Sequence, residues 1–99
     1  MRYRIEYSPE AIDHLRTLTT RQRAIVVDVV EQQLVHQPTI ETTNRKPMRP
    51  NPLAPWELRI GALRVYYDVV TGVKSLVLIR AVGIKQRHRV FFGGKEIAL

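Results

Sequence analysis

The chain has no cysteine. Disulfide staples, thiolate nucleophiles and cysteine-ligated zinc are therefore excluded, and a reducing cytoplasm is the expected compartment. No apolar run approaches the roughly 20 residues a bilayer span requires, and Met1-Arg2-Tyr3-Arg4 lacks the layout of a signal peptide, so no membrane association is expected. There is no glycine-rich phosphate loop, no GxSxG and no carboxylate pair at useful spacing. His14, His36 and His88 have no metal-ligand spacing to one another or to the acids. Neither a metal nor a cofactor is expected. Acidic residues are also scarce: nine Asp+Glu stand against 16 Lys+Arg, a formal net charge of +7.

What is present fits one globular domain spanning residues 1–99, with an ordinary 44% hydrophobic and 25% charged composition. The positive charge is uneven. Residues 1–41 carry five basic and six acidic side chains, whereas residues 42–99 carry eleven basic side chains against Glu57, Asp68 and Glu96. A basic excess of this size is the usual footprint of a polyanion binder, and it places the anion site in the second part of the chain. A merely solvated basic surface is the plain alternative.

The pattern predicts an α+β fold: an N-terminal strand, a two-helix hairpin, then an antiparallel meander of three to four strands. Tyr3, Ile5 and Tyr7 alternate with polar residues as in a half-buried strand. Ser8-Pro9-Glu10 reads as a helix start, with Ala11, Leu15 and Leu18 as its apolar stripe. Thr19 or Thr20 caps a second helix to about Val35, striped by Val27, Val30 and Leu34. Five of the six prolines fall between Pro38 and Pro55, which disfavours helix and central strand and gives a stiff extended loop. Strand alternation resumes at Trp56, turns at Gly61-Ala62, and puts Leu63, Val65, Tyr67 and Val69 on one face. Arg64, Tyr66 and Asp68 then share the other, open face, with Asp68 expected as an ion-pair partner. Residues 75–82 are apolar on both faces, as a central strand should be. Gly83 is read as its break, Val90-Phe91-Phe92 as a last strand, and Gly93-Gly94 as a turn toward Glu96-Ile97-Ala98.

Four stretches resemble one family. Tyr3-Arg4-Ile5-Glu6-Tyr7-Ser8-Pro9-Glu10-Ala11, then Pro52 to Gly61 (PLAPWELRIG), then Leu63-Arg64-Val65-Tyr66-Tyr67-Asp68-Val69 and Ala81-Val82-Gly83 resemble the RelE/ParE superfamily of type II toxins. The resemblance implies a RelE-like toxin that inhibits translation by metal-independent endonucleolytic cleavage of mRNA, on the ribosome, neutralised by an acidic cognate antitoxin. The alternatives are a ParE-like inhibitor of DNA gyrase and a catalytically degenerate member that only binds its antitoxin.

RelE-type cleavage uses the 2′-hydroxyl of the RNA against the adjacent phosphate, which needs a base, positive charge and a proton for the leaving oxygen. On the resemblance, Arg64 and Lys85 hold the phosphate, and Glu57 or His88 moves protons. Arg59, Lys46, Arg45, Arg49, Arg87 and Arg89 would bind RNA, with Phe91 stacking on a base. Glu57 stands where ribosome-dependent members tend to carry a lysine, and Phe91 near where a tyrosine is common. Lys46 is a further candidate for proton transfer.

Overall fold

Two short polar side chains set where the helices begin. The computed structural model describes residues 2–72 and 74–97, so Ala98 of the expected C-terminal segment lies outside the described residues. After β1 (Arg4–Tyr7), Ser8 accepts the Ala11 amide and Pro9 takes the first position of α1 (Pro9–Arg16). Thr19 caps α2 (Thr20–Leu34) through a full capping box, its hydroxyl accepting from Gln22 N while the Gln22 side chain accepts from Thr19 N. The buried stripe of α2 is Val26, Val30 and Leu34. Val30 and Leu34 of the expected stripe are buried, but Val27 is 42% exposed and Val26 takes its place, which gives a strict four-residue spacing.

Among the described residues the sheet has seven strands, β1 and a six-strand meander, where an N-terminal strand and a meander of three to four were expected from sequence. β2 (Arg45–Pro47), β3 (Trp56–Ile60), β4 (Leu63–Val70), β5 (Leu76–Gln86), β6 (Arg89–Phe92) and β7 (Lys95–Glu96) follow one another as antiparallel neighbours. The additional strands are the short outer ones. β2 emerges from the proline-rich loop as an edge strand, where a proline at its end costs no ladder bond.

β1 pairs in parallel with the first part of β5, Arg4 to Tyr7 lying against Leu76 to Ile79, and β6 pairs with Ile84 to Gln86 on the same edge. The notch between them is closed by α1. Ser8 N donates to Ile79 O, Ser8 Oγ donates to Arg80 O at 3.1 Å, and Val82 N donates to His14 Nδ1 at 3.2 Å. Backbone groups that lack a strand partner are thus paired by a helix and its cap.

A bulge explains why residues 75–82 are apolar on both faces. Tyr66 opposes Ala81 and Tyr67 opposes Ile79, leaving Arg80 as the extra residue. Val77 and Ile79 before the bulge, and Val82 and Ile84 after it, consequently face the helices together. They pack with Leu58, Val65, Tyr67 and the helical Ala11, Leu15, Val26, Val30 and Leu34. Gly83 does not break the strand. It sits inside β5, where an added Cβ would lie 2.8 Å from Phe91 O and 2.8 Å from a Phe92 ring carbon.

No helix among the described residues is long and apolar enough to cross a membrane.

Candidate functional site

The sheet face away from the helices carries a smaller apolar cluster and, beside it, a polar groove. The Gly61-Ala62 turn fixes the register. Glu57 opposes Tyr66 and Arg59 opposes Arg64, and on the next strand Ala81 opposes Tyr66 and Gly83 opposes Arg64. Lys46 lies opposite Glu57 from the edge strand. Parity therefore brings Lys46, Glu57, Arg59, Tyr66, Arg64 and Lys85 to one face.

Tyr66 corrects the expectation of an open aromatic. It is fully buried, packed with Ala54, Ala81 and Phe92, beneath the partly buried Met48 and Leu53 of the proline-rich loop. The Phe92 and Tyr66 ring centroids are 5.5 Å apart, and the His14 ring lies 5.4 Å from Phe92 on its other side. The loop is held down by one side chain. Asn51 donates to Arg49 O and Ala54 O and accepts from Leu53 N and Ala54 N; Met48 N donates to Pro55 O.

Glu57 is 7% exposed, and its two oxygens face different partners. Tyr66 Oη donates to Oε2 at 2.8 Å and Arg59 Nε donates to Oε1 at 2.7 Å. Burial, and then the hydrogen bond and charge of Glu57, push the Tyr66 phenol far above its ordinary value, while Arg64 and Arg59 pull it the other way. Tyr66 is thus a fixed proton donor to the carboxylate. The carboxylate opens on a groove of about 370 Å³ lined by Lys46, Met48, Arg49, Asn51, Glu57 and Arg59. A second hollow of about 350 Å³ lies across the loop, between Arg49 and Asp68.

Arg59 and Arg64 stand directly opposite each other on this face. Like charges in such a cross-strand pair are destabilising. Arg59 is offset by Glu57, but Arg64 donates only to the carbonyls of Gly61 and Leu63, at 2.6 and 2.9 Å. Among the described residues Arg49, Arg64, Lys85 and Arg87 form no ion pair, whereas Lys46 pairs with Glu41 and Arg89 with Glu96.

The fold has a counterpart among solved structures. The chain superimposes on a chain of the toxin–antitoxin complex RelBE2 from Mycobacterium tuberculosis with a TM-score of 0.72 and 24% identity, over 86% of this chain and all of that one. The fold is RelE-like. No family model matches the sequence, and no curated protein does.

Within this RelE-like fold the residues expected from sequence divide into three groups. Glu57, Arg59, Arg64 and Lys85 share the open face, with Lys46 and Arg49 at the groove. Arg87, His88 and Arg89 form the exposed end of the β5–β6 hairpin, where Arg87 takes φ 60°, a conformation uncommon for a side-chain-bearing residue. Phe91 pairs with Ile84, which faces the helices, so it points away from Arg64 and cannot stack on a base held there.

Arg45 is a further correction. It lies opposite Leu58 and is buried, donating from Nε to Ile40 O at 3.0 Å and from Nη1 to Gln33 O at 2.6 Å. It closes the carbonyl end of α2 and is withdrawn from any RNA. Asp68 accepts the Val69 amide and makes no ion pair among the described residues. Phe92 and Asn51 carried no site expectation, and Tyr66 was expected on this face but open. For Tyr66 a signal existed, since counting outward from Gly61-Ala62 pairs it with Glu57.

Proposed function

We propose that this chain is the toxin of a type II toxin–antitoxin pair, and that it inhibits translation by cutting mRNA on the ribosome. The observation that carries this reading is the opposed Arg59–Arg64 pair, a like-charge arrangement that an anion between them would relieve, next to the buried Glu57–Tyr66 pair. The RelE-like fold and the neighbour's presence in a toxin–antitoxin complex support it further.

In the proposed reaction the 2′-oxygen of one nucleotide attacks the adjacent phosphorus. The bond from phosphorus to the 5′-oxygen breaks, leaving a 2′,3′-cyclic phosphate and a free 5′-hydroxyl. Arg64 and Lys85 neutralise charge that grows on the phosphoryl oxygens. Glu57 takes the 2′-hydroxyl proton, and His88 or Lys46 supplies one to the departing 5′-oxygen. No step needs a cofactor. Arg59, Arg49, Arg87 and Arg89 lie along the RNA backbone. An acidic antitoxin, disordered in part until bound, covers the basic face in the cytoplasm.

The test is induction of the chain alone in growing cells, with transcript 5′ ends mapped, protein synthesis followed and plasmid supercoiling measured. Codon-phased cuts with supercoiling unchanged are expected. Intact transcripts with normal synthesis would sink the nuclease reading. Loss of supercoiling with intact transcripts would favour gyrase as the target, and neither effect would leave antitoxin binding alone.

A further inference from the structure

We infer that Tyr66 is a positioning residue for cleavage, holding Glu57 in the orientation from which it accepts the 2′-hydroxyl proton; this rests on the nuclease reading above. A glutamate carboxylate on a strand can rotate about three side-chain bonds, and a base that swings out of line loses most of its value, because proton transfer needs hydrogen-bond distance and alignment. Here the rotation is stopped from both ends. Tyr66 Oη donates to Oε2 and Arg59 Nε to Oε1. Each oxygen accepts one hydrogen bond, and a carboxylate has about four acceptor sites. Acceptor capacity therefore remains on the carboxylate, and Glu57 lines the groove beside Lys46 and Arg49.

The two clamps differ in kind. Arg59 is half-exposed, on a flexible side chain that solvent reaches. Tyr66 is fully buried and cannot move without disturbing the cluster around it. Its ring lies against Phe92, which fits only because Gly83 has no Cβ to meet it. Beyond Phe92 the His14 ring of α1 backs the stack. Rigidity is thus transmitted from the helix, through two aromatic rings, to one carboxylate oxygen, which is how supporting side chains keep a reactive group within its narrow tolerance. Raised proton affinity at Tyr66 keeps the phenol a donor throughout the working range.

The experiment compares Tyr66→Phe, Glu57→Gln and the double variant, using purified chain and a defined mRNA on programmed ribosomes. Circular dichroism at the assay temperature checks that each is folded. Tyr66→Phe should lower kcat about tenfold and leave KM for the programmed ribosome unchanged, since the phenol touches no substrate. In the Glu57→Gln background it should have no further effect on kcat. Phe92→Leu, which loosens the ring without deleting a polar group, should lower kcat in the same direction by a smaller factor. Wild-type kcat in both Tyr66→Phe and Phe92→Leu overturns the inference, as does full activity of Glu57→Gln or an additive double variant. Absence of cleavage by the wild-type chain overturns the nuclease reading and the inference with it, an outcome distinct from these.

Discussion

The two faces of the sheet are built from alternate residues of the same strands, yet they obey different rules. Toward the helices, Leu58, Val65, Tyr67, Val77, Ile79 and Val82 are buried and apolar, and the single phenol among them donates to Pro38 O. Toward the proline-rich loop, a smaller apolar cluster adjoins a buried carboxylate and two opposed arginines. One face is arranged to be stable, and the other keeps a like-charge pair that stability alone would not select.

Adjacent positions give the sharpest way to break this contrast. Arg64→Ala should lower cleavage by about 10²–10³-fold, the usual cost of removing a donor to a developing oxyanion, while changing stability by less than about 1 kcal/mol. Val65→Ala, one residue on and facing the helices, should destabilise by about 2–3 kcal/mol through cavity formation, with kcat per folded molecule preserved. Thermal melts and single-turnover cleavage measured on both proteins check the pair. Equal loss of stability in the two would erase the distinction between faces.

Gly83→Ala tests whether the smaller cluster supports the site. Its new methyl group meets the Phe91 carbonyl and the Phe92 ring, so about 1–3 kcal/mol of stability should be lost by overpacking. Cleavage should fall alongside it, as read by melts and by kcat at a temperature where the variant is folded.

Arg45 and Lys85 give a third comparison. Binding of single-stranded RNA by Lys85→Ala should show a slope of log affinity against log salt reduced by roughly 0.7, one phosphate contact. Arg45→Met should leave that slope unchanged and instead cost about 1–2 kcal/mol of stability, because it strips hydrogen bonds from the end of α2.

The smallest effect concerns acid. Burial lowers the proton affinity of His14 below the ordinary histidine value of 6.5, against the opposing pull of Asp13 and Glu10. A base with a depressed folded-state pKa contributes stability that is present above 6.5 and is lost as pH falls through the folded value. Protonation also removes the acceptor for Val82 N–H. Melting temperature should therefore decline on acidification from 6.5, and His14→Gln should flatten that part of the profile.

What was legible in the sequence was local. Ser8 and Pro9, a cap at Thr19 or Thr20, and the alternation on either side of Gly61-Ala62 depend on neighbours within a few residues, and the structure has the first and last as expected and the cap at Thr19. The grouping of Arg64 with Glu57 and Arg59 follows from that one turn. What was not legible depends on distant chain. Tyr66 is buried because a loop ending ten residues earlier folds back over it under the control of Asn51. Arg45 is drawn inward by the end of a helix, and Phe91 is turned to the back by its pairing with Ile84. Charge and strand alternation are identical for an arginine that meets water and one that meets a helix carbonyl, so neither signal separates them.

The parallel pairing of β1 with β5 has a consequence in time. Ser8, just after β1, bonds to Arg80, 72 residues further along the chain, so β1 leaves a ribosome well before its partner strand and must wait for it. Closing so long a loop delays the central strand pair and slows folding. A protein proposed to attack translation thus cannot complete its own sheet until 72 residues beyond Ser8 have been translated.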